Sequence, residues 1–273
     1  MTPTQTLPPR STTATPKPRL VDTLRSEWTK MRTLRSTPIT LGVTAALVIG
    51  LGALIAYGVV TSPHHGKRFL SDPVGLIQGG WGLGELAFMV LGVLVVSNEY
   101  SSGMIGPTLL ATPRRARVLL AKVAVFSVLM FVVGDVMSFV NFFVGHAVVS
   151  GHPPFSDPSL GDHNVLRAVV GMGITATLVG LMGLGLGALL RHTAGAITAG
   201  VAVVFVGPII VAILPSSWGN PIGEYWPTEA GSQLEEVARQ ANALSAWWGA
   251  GDMALFVAIL LAVAGYLLVK RDA

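Results

Sequence analysis

The chain has 273 residues, of which 12% are charged and 51% hydrophobic, with a mean hydropathy of +0.63. A soluble domain carries about 25% charged residues, so there are too few charges to cover a water-facing surface. The net charge of +4 comes from bases at the ends of apolar runs, where they would meet lipid headgroups rather than nucleic acid, and the absence of cysteine excludes disulfides, iron–sulfur clusters, thiolate metal sites and thiol catalysis.

Residues 1–19 are rich in Thr and Pro and hold almost nothing to bury, which predicts a disordered tail. The first apolar run begins only near Pro38, too late for the core of a secretory leader, so no cleaved signal is expected. Residues 20–36 place Leu20, Leu24, Trp28 and Met31, with Leu34 nearby, on one helical face and their bases elsewhere. A basic amphipathic helix with a Trp, directly before a span, is expected to lie in the inner headgroup plane against lipid.

Six apolar stretches make residues 37–273 a transmembrane domain: 39–60, 74–97, 118–149, 165–190, 194–214 and 252–269. Each is adequate to cross the hydrocarbon core, which takes roughly 17–25 residues. The third is long enough to tilt, to extend beyond the bilayer, or to break near Gly134-Asp135. With the N-terminus inside, fourteen of the eighteen Lys and Arg fall on inner segments, and the opposite orientation would invert that bias. The expected fold is therefore all-α and polytopic, with six spans, both termini inside, and an interfacial helix at the entrance.

Two connections are long. The inner loop 98–117 carries Pro107 and Pro113, and Ser102-Gly103 is placed to end the second helix. Either it holds a short helix parallel to the membrane that offers Glu99 to a cytoplasmic partner, or its arginines only anchor topology. The outer segment 215–251 repeats Leu234, Val237, Ala241, Leu244 and Trp248 at helical spacing, which predicts an amphipathic helix. Tyr225, Trp226, Trp247 and Trp248 read as an interfacial aromatic belt.

Motifs for hydrolytic chemistry do not occur. There is no G-x-x-x-x-G-K-[ST] loop to cradle ATP phosphates and no H-E-x-x-H helix to hold zinc. His64 and His65 are adjacent, and Glu235-Glu236 is followed by Arg239 one position too early for a Glu-Glu-x-x-x-Arg protease. Three polar residues lie within the spans: Glu85, Asp135 and Asn141. Such groups are costly in lipid unless paired or hydrated, so they are candidates for structural hydrogen bonding, for lining a polar path, or for carrying protons.

Three segments taken in order resemble a known family. They are E-W-T-K-M-R-T-L-R-S before the first span, N-E-Y-S-S-G-M-I after the second and leading to Pro113-Arg114-Arg115, and W-P-T-E-A-G before the last. Together they resemble the ABC-2 type permease subunits of bacterial ABC transporters, particularly the actinobacterial kind, over nearly everything after residue 20. The resemblance implies an elbow helix carrying Leu24, Trp28 and Met31. It also implies a coupling loop that docks on a separate ATPase through Glu99, Tyr100, Ser101, Ser102, Gly103 and Met104, with Arg114 and Arg115 behind. Asn98 stands where the family has a small or charged residue. The chain would then be a non-enzymatic transport component in a bacterial cell membrane. It would work as a homodimer or beside a second permease, with ATP and magnesium bound only by the partner. The rival expectations are an ion- or proton-coupled secondary transporter using Asp135 or Glu85, and a membrane scaffold or sensor.

Overall fold

In lipid the backbone must satisfy its own hydrogen bonds, so long apolar stretches fold as helices. A computed structural model describes residues 19–33, 36–61, 73–104, 115–152, 158–238 and 243–270. The described residues form ten helices and no strand. They are α1 (Leu20–Thr33), α2 (Ser36–Thr61), α3 (Pro73–Ile77), α4 (Trp81–Ser101), α5 (Arg115–Val149) and α6 (His163–Leu190). There follow α7 (Thr193–Ile213), α8 (Ser216–Glu224), α9 (Pro227–Ser232) and α10 (Ala246–Lys270). Helices α2, α4, α5, α6, α7 and α10 are each long and apolar enough to cross a membrane, and the chain is a multi-pass, all-α membrane protein.

Helix α6 is the axis of the molecule. It packs against α4, α5 and α10, and 83% of its apolar window is enclosed by protein. Its glycines make this possible. A Cβ at Gly92 of α4 would strike the Gly180 carbonyl of α6, and one at Gly183 would strike the Met89 carbonyl, so the two backbones touch. Small residues at a crossing let membrane helices approach this closely. Phe88, Met89, Phe126, Met130, Met182 and Leu184 fill the surrounding core.

The structure departs from the sequence reading, or decides between alternatives it left open, in four places. The second apolar stretch is two helices, α3 and α4, joined by a turn at 78–80, where the Trp81 N–H closes on the Gln78 carbonyl at 2.8 Å. Helix α5 runs unbroken through Gly134-Asp135, because Gly134 lies flat against Gly173 of α6. The amphipathic helix expected along 234–248 does not form among the described residues: 233–235 is a turn, 236 and 243–245 are irregular, and Trp248 already belongs to α10. The outer segment is helical earlier instead, as α8 and α9. Pro227 opens α9, where its missing N–H costs nothing.

The fourth departure concerns α7, which contains a wide turn from Ala202 to Val206. The Gly207 N–H reaches back five residues to Ala202 rather than four to Val203, and Pro208 has no N–H to give. The Val203 carbonyl is thereby released, and the Trp226 indole N–H takes it at 2.9 Å. Gly207 leaves the space in which the indole lies. Trp226 is thus a clamp between α7 and the outer helices, and of the four aromatics read as a belt Tyr225, Trp247 and Trp248 remain exposed.

Candidate functional site

Taking the base-rich face as inner, the spans are tied together by three polar assemblies. The first ties α1 to the inner ends of α4 and α5. Lys122 of α5 donates to Glu27 Oε2 at 2.6 Å and to Glu99 Oε1 at 2.9 Å; Lys30 donates to Glu27 Oε1 at 2.8 Å and to Glu99 Oε1 at 2.9 Å. Two acids and two bases balance, and the Glu27 and Lys122 side chains are only 2% and 6% exposed. A buried ion pair persists only where geometry and hydrogen bonds repay desolvation, and four short contacts do that here. Lys30 lies in α1, outside the spans. Its partial burial lowers its pKa, but the hydrogen bonds and charges of Glu27 and Glu99 outweigh this and raise it above the ordinary 10.5.

This arrangement corrects two expectations. The buried face of α1 is Thr23, Glu27 and Met31, at a spacing of four, and not the full Leu20–Leu24–Trp28–Met31 stripe. Leu24 packs against the core and Met31 is buried, but Leu20 and Trp28 stay exposed. Glu99 is not offered to a partner. It is buried under α1, because α4 continues to Ser101 and turns that carboxylate toward Lys122.

The rest of the expected coupling segment divides at the helix end. Tyr100 is half-buried, with the Arg191 guanidinium 5.2 Å from its ring centroid. Ser101, Ser102, Gly103 and Met104 are exposed. The Ser101 and Ser102 hydroxyls both donate to the Asn98 carbonyl, and Gly103 ends the helix at φ 69°, a conformation that suits glycine. That matches the expected stop at Ser102-Gly103. Arg114 and the Pro107–Pro113 stretch lie outside the described residues; Arg115 opens α5, and its side chain also lies outside them.

The second assembly lies toward the outer ends of the spans. Asn141 is fully buried; its amide donates to Gln78 Oε1 at 2.5 Å and to the Ile77 carbonyl at 3.3 Å. The Gln78 amide in turn reaches Ser138, whose hydroxyl donates to the Val169 carbonyl at 2.8 Å. Asn141 is therefore a support for the turn between α3 and α4, while Ser138 ties α5 to α6. Asp135 is separate from this network: it is half-buried beside Gly173, with one carboxyl oxygen making no hydrogen bond among the described residues.

The third assembly lies deeper than the second, with Thr175 near the middle of α6. Glu85 of α4 meets Glu235, in the turn after α9, carboxyl to carboxyl. The Thr175 hydroxyl of α6 donates to Glu235. Desolvation, and then the Glu85 charge, push the Glu235 carboxyl well above its ordinary range, with the Thr175 hydrogen bond opposing. Arg167 does not neutralise the pair through any ion pair among the described residues. It donates instead to the backbone carbonyls of Gln233, Glu236 and Val237, holding the turn after α9 onto the outer end of α6. The sequence picked out Glu85 but not Glu235, which it treated as a loop residue. The paired acids Glu235-Glu236 were a visible signal, but nothing along the chain pointed to a partner 150 residues upstream.

Among the described residues, no group of three or more His, Asp or Glu side chains could hold a metal ion. No protein-family model matches the sequence, and no curated protein matches it.

Proposed function

We propose that the chain is the membrane-spanning subunit of an ATP-driven exporter in a bacterial plasma membrane, coupling to a separate ATPase and working beside a second copy or a second permease. The observation that carries this reading is the Glu27–Lys30–Glu99–Lys122 group. It fastens an amphipathic helix to the inner ends of two spans, immediately before an exposed inner turn. A force applied to that turn passes to α1, α4 and α5 together, because stretching a buried ion group is costly. The docking role then moves from Glu99 to Ser101, Ser102, Gly103 and Met104, while Glu99 transmits from within. ATP and magnesium belong to the partner.

The test is reconstitution with the separate ATPase subunit that this reading requires. Met104→Asp, at an exposed position, is expected to lower stimulated ATP hydrolysis several-fold while membrane insertion is unchanged. Transport driven by a proton gradient with no ATPase present would defeat the proposal. That outcome would favour the second reading, proton coupling, for which the Glu85–Glu235 contact is the specific support.

A further inference from the structure

Helix α1 and the inner part of α5 enclose a groove of about 580 Å³ on the outside of the bundle. Val21, Leu24 and Trp28 form one wall, and Ala124, Val125 and Val128 form the other. Val125 is buried between them, while Val21, Trp28 and Val128 stand exposed. The walls are held at a fixed separation, because the buried Lys122–Glu27 pair joins the same two helices at 2.6 Å. One residue of the α1 wall is not apolar. Arg25 falls between Leu24 and Trp28 on that wall, although the periodicity of the segment put the bases elsewhere. Its guanidinium is exposed and makes no ion pair or hydrogen bond among the described residues. Asp22, one turn back, instead accepts the Arg19 backbone N–H at 2.9 Å, and Glu27 is taken up by the two lysines. The groove therefore combines a preformed hydrocarbon slot with one uncompensated cation that stays charged at any ordinary pH.

The geometry points to this groove as a binding site for one anionic phospholipid. An acyl chain lies between the α1 and α5 walls, and the phosphate accepts hydrogen bonds from the Arg25 guanidinium, whose planar fork suits two phosphate oxygens. Trp28 stands beside it, an aromatic ring of the kind that settles at headgroup level. A free anion would use Arg25 but leave both hydrocarbon walls bare. A zwitterionic lipid would fill the walls but bring a second cation toward Arg25, so the charge on α1 selects the anionic headgroup. The assignment rests on the multi-pass membrane architecture and not on the export reading, because lipid binding is a property of the purified chain whether or not an ATPase drives it.

The test titrates dioleoylphosphatidylglycerol, and in parallel the phosphatidylcholine with the same chains, into the full-length protein in a neutral detergent, with bound lipids counted by native mass spectrometry. One phosphatidylglycerol is expected to saturate ahead of any phosphatidylcholine. Arg25→Gln should weaken that binding about fivefold, the size of one basic side chain acting at a membrane surface, and leave phosphatidylcholine unchanged. Arg32→Gln removes another exposed base of α1 that does not line the groove, and should leave both lipids as they were. Ala124→Trp fills the groove from an exposed position and should abolish the preferred lipid. Equal affinity for the two lipids in the parent, or an Arg25→Gln variant that binds no more weakly than Arg32→Gln, would overturn the site. Displacement of the lipid by millimolar inorganic phosphate would overturn it by giving Arg25 to a free anion. Loss of a protein dimer from the same spectra on Ala124→Trp would overturn it by giving the groove to a second copy of the chain.

Discussion

At the scale of single residues, the most consequential side chain is Lys122. It lies eight positions into an apolar helix and is sealed between two carboxylates. Removing it leaves Glu27 and Glu99 buried with only the half-exposed Lys30 to face. Breaking a buried pair in this way costs about 3–5 kcal/mol, so Lys122→Met should lower thermal stability in detergent by that amount. Lys30→Met should cost under about 1 kcal/mol, since that side chain is 30% exposed. Equal losses in the two variants would mean that the four residues do not divide the load as their burial suggests. Little of this group could be read in advance. Lys122 counted as one more inner base, and Glu27 is separated from it by 95 positions. The available hint was local: a charged residue sharing a four-residue spacing with Thr23 and Met31 will be buried if Met31 is.

At the scale of elements, the seam between α4 and α6 and the clamp on α7 can each be tested by one atom or one group. Gly92→Ala puts a methyl group into the Gly180 carbonyl and should cost about 1–3 kcal/mol, the range for overpacking. Gly58→Ala meets nothing within 4 Å and should stay within about 0.5 kcal/mol of the parent. Parallel melting curves would separate the two. Trp226→Phe keeps most of the ring but leaves the Val203 carbonyl without its donor, which should cost about 1 kcal/mol. It should also speed hydrogen exchange through 203–208; unchanged exchange there would show that the carbonyl has another partner. The spans themselves were legible because twenty apolar residues leave the backbone no alternative to a helix. Helices α8 and α9 were not, since they are short and set by contacts with α7 and α10 rather than by a repeating apolar face. The spacing of Leu234, Val237 and Ala241 was a real periodicity, but tertiary contacts dominated: Leu234 is pressed against Gly171, and Arg167 draws the carbonyls of 233, 236 and 237 out of any helical ladder.

At the scale of the whole molecule, the two ends respond differently to pH. The inner ion group is balanced. The contact between Glu85 and the outer segment rests on Glu235, whose raised pKa means that the folded protein keeps a proton the unfolded chain has lost above its ordinary 4.5. Stability of the outer helices should therefore fall as pH climbs from that ordinary value toward the raised one, and level off beyond it. Glu85, Glu229 and Glu236 are further acids nearby, and Arg167 spends its donors on backbone. Hydrogen exchange over 227–237, followed from about pH 5 to about pH 8, should quicken with pH, and Glu235→Gln should flatten the trend. A flat profile in the parent would mean that Glu235 does not hold this proton. The enclosure of α6 has a further consequence for biosynthesis. The two spans most enclosed by protein, α4 and α6, are also the two least apolar. Each is a weak passenger into lipid by itself, and each is released by the ribosome before all of its neighbours exist. The insertion machinery must therefore hold α4 until α6 emerges and shelter α6 until α10 arrives, which makes α10 the helix that closes the fold around α6.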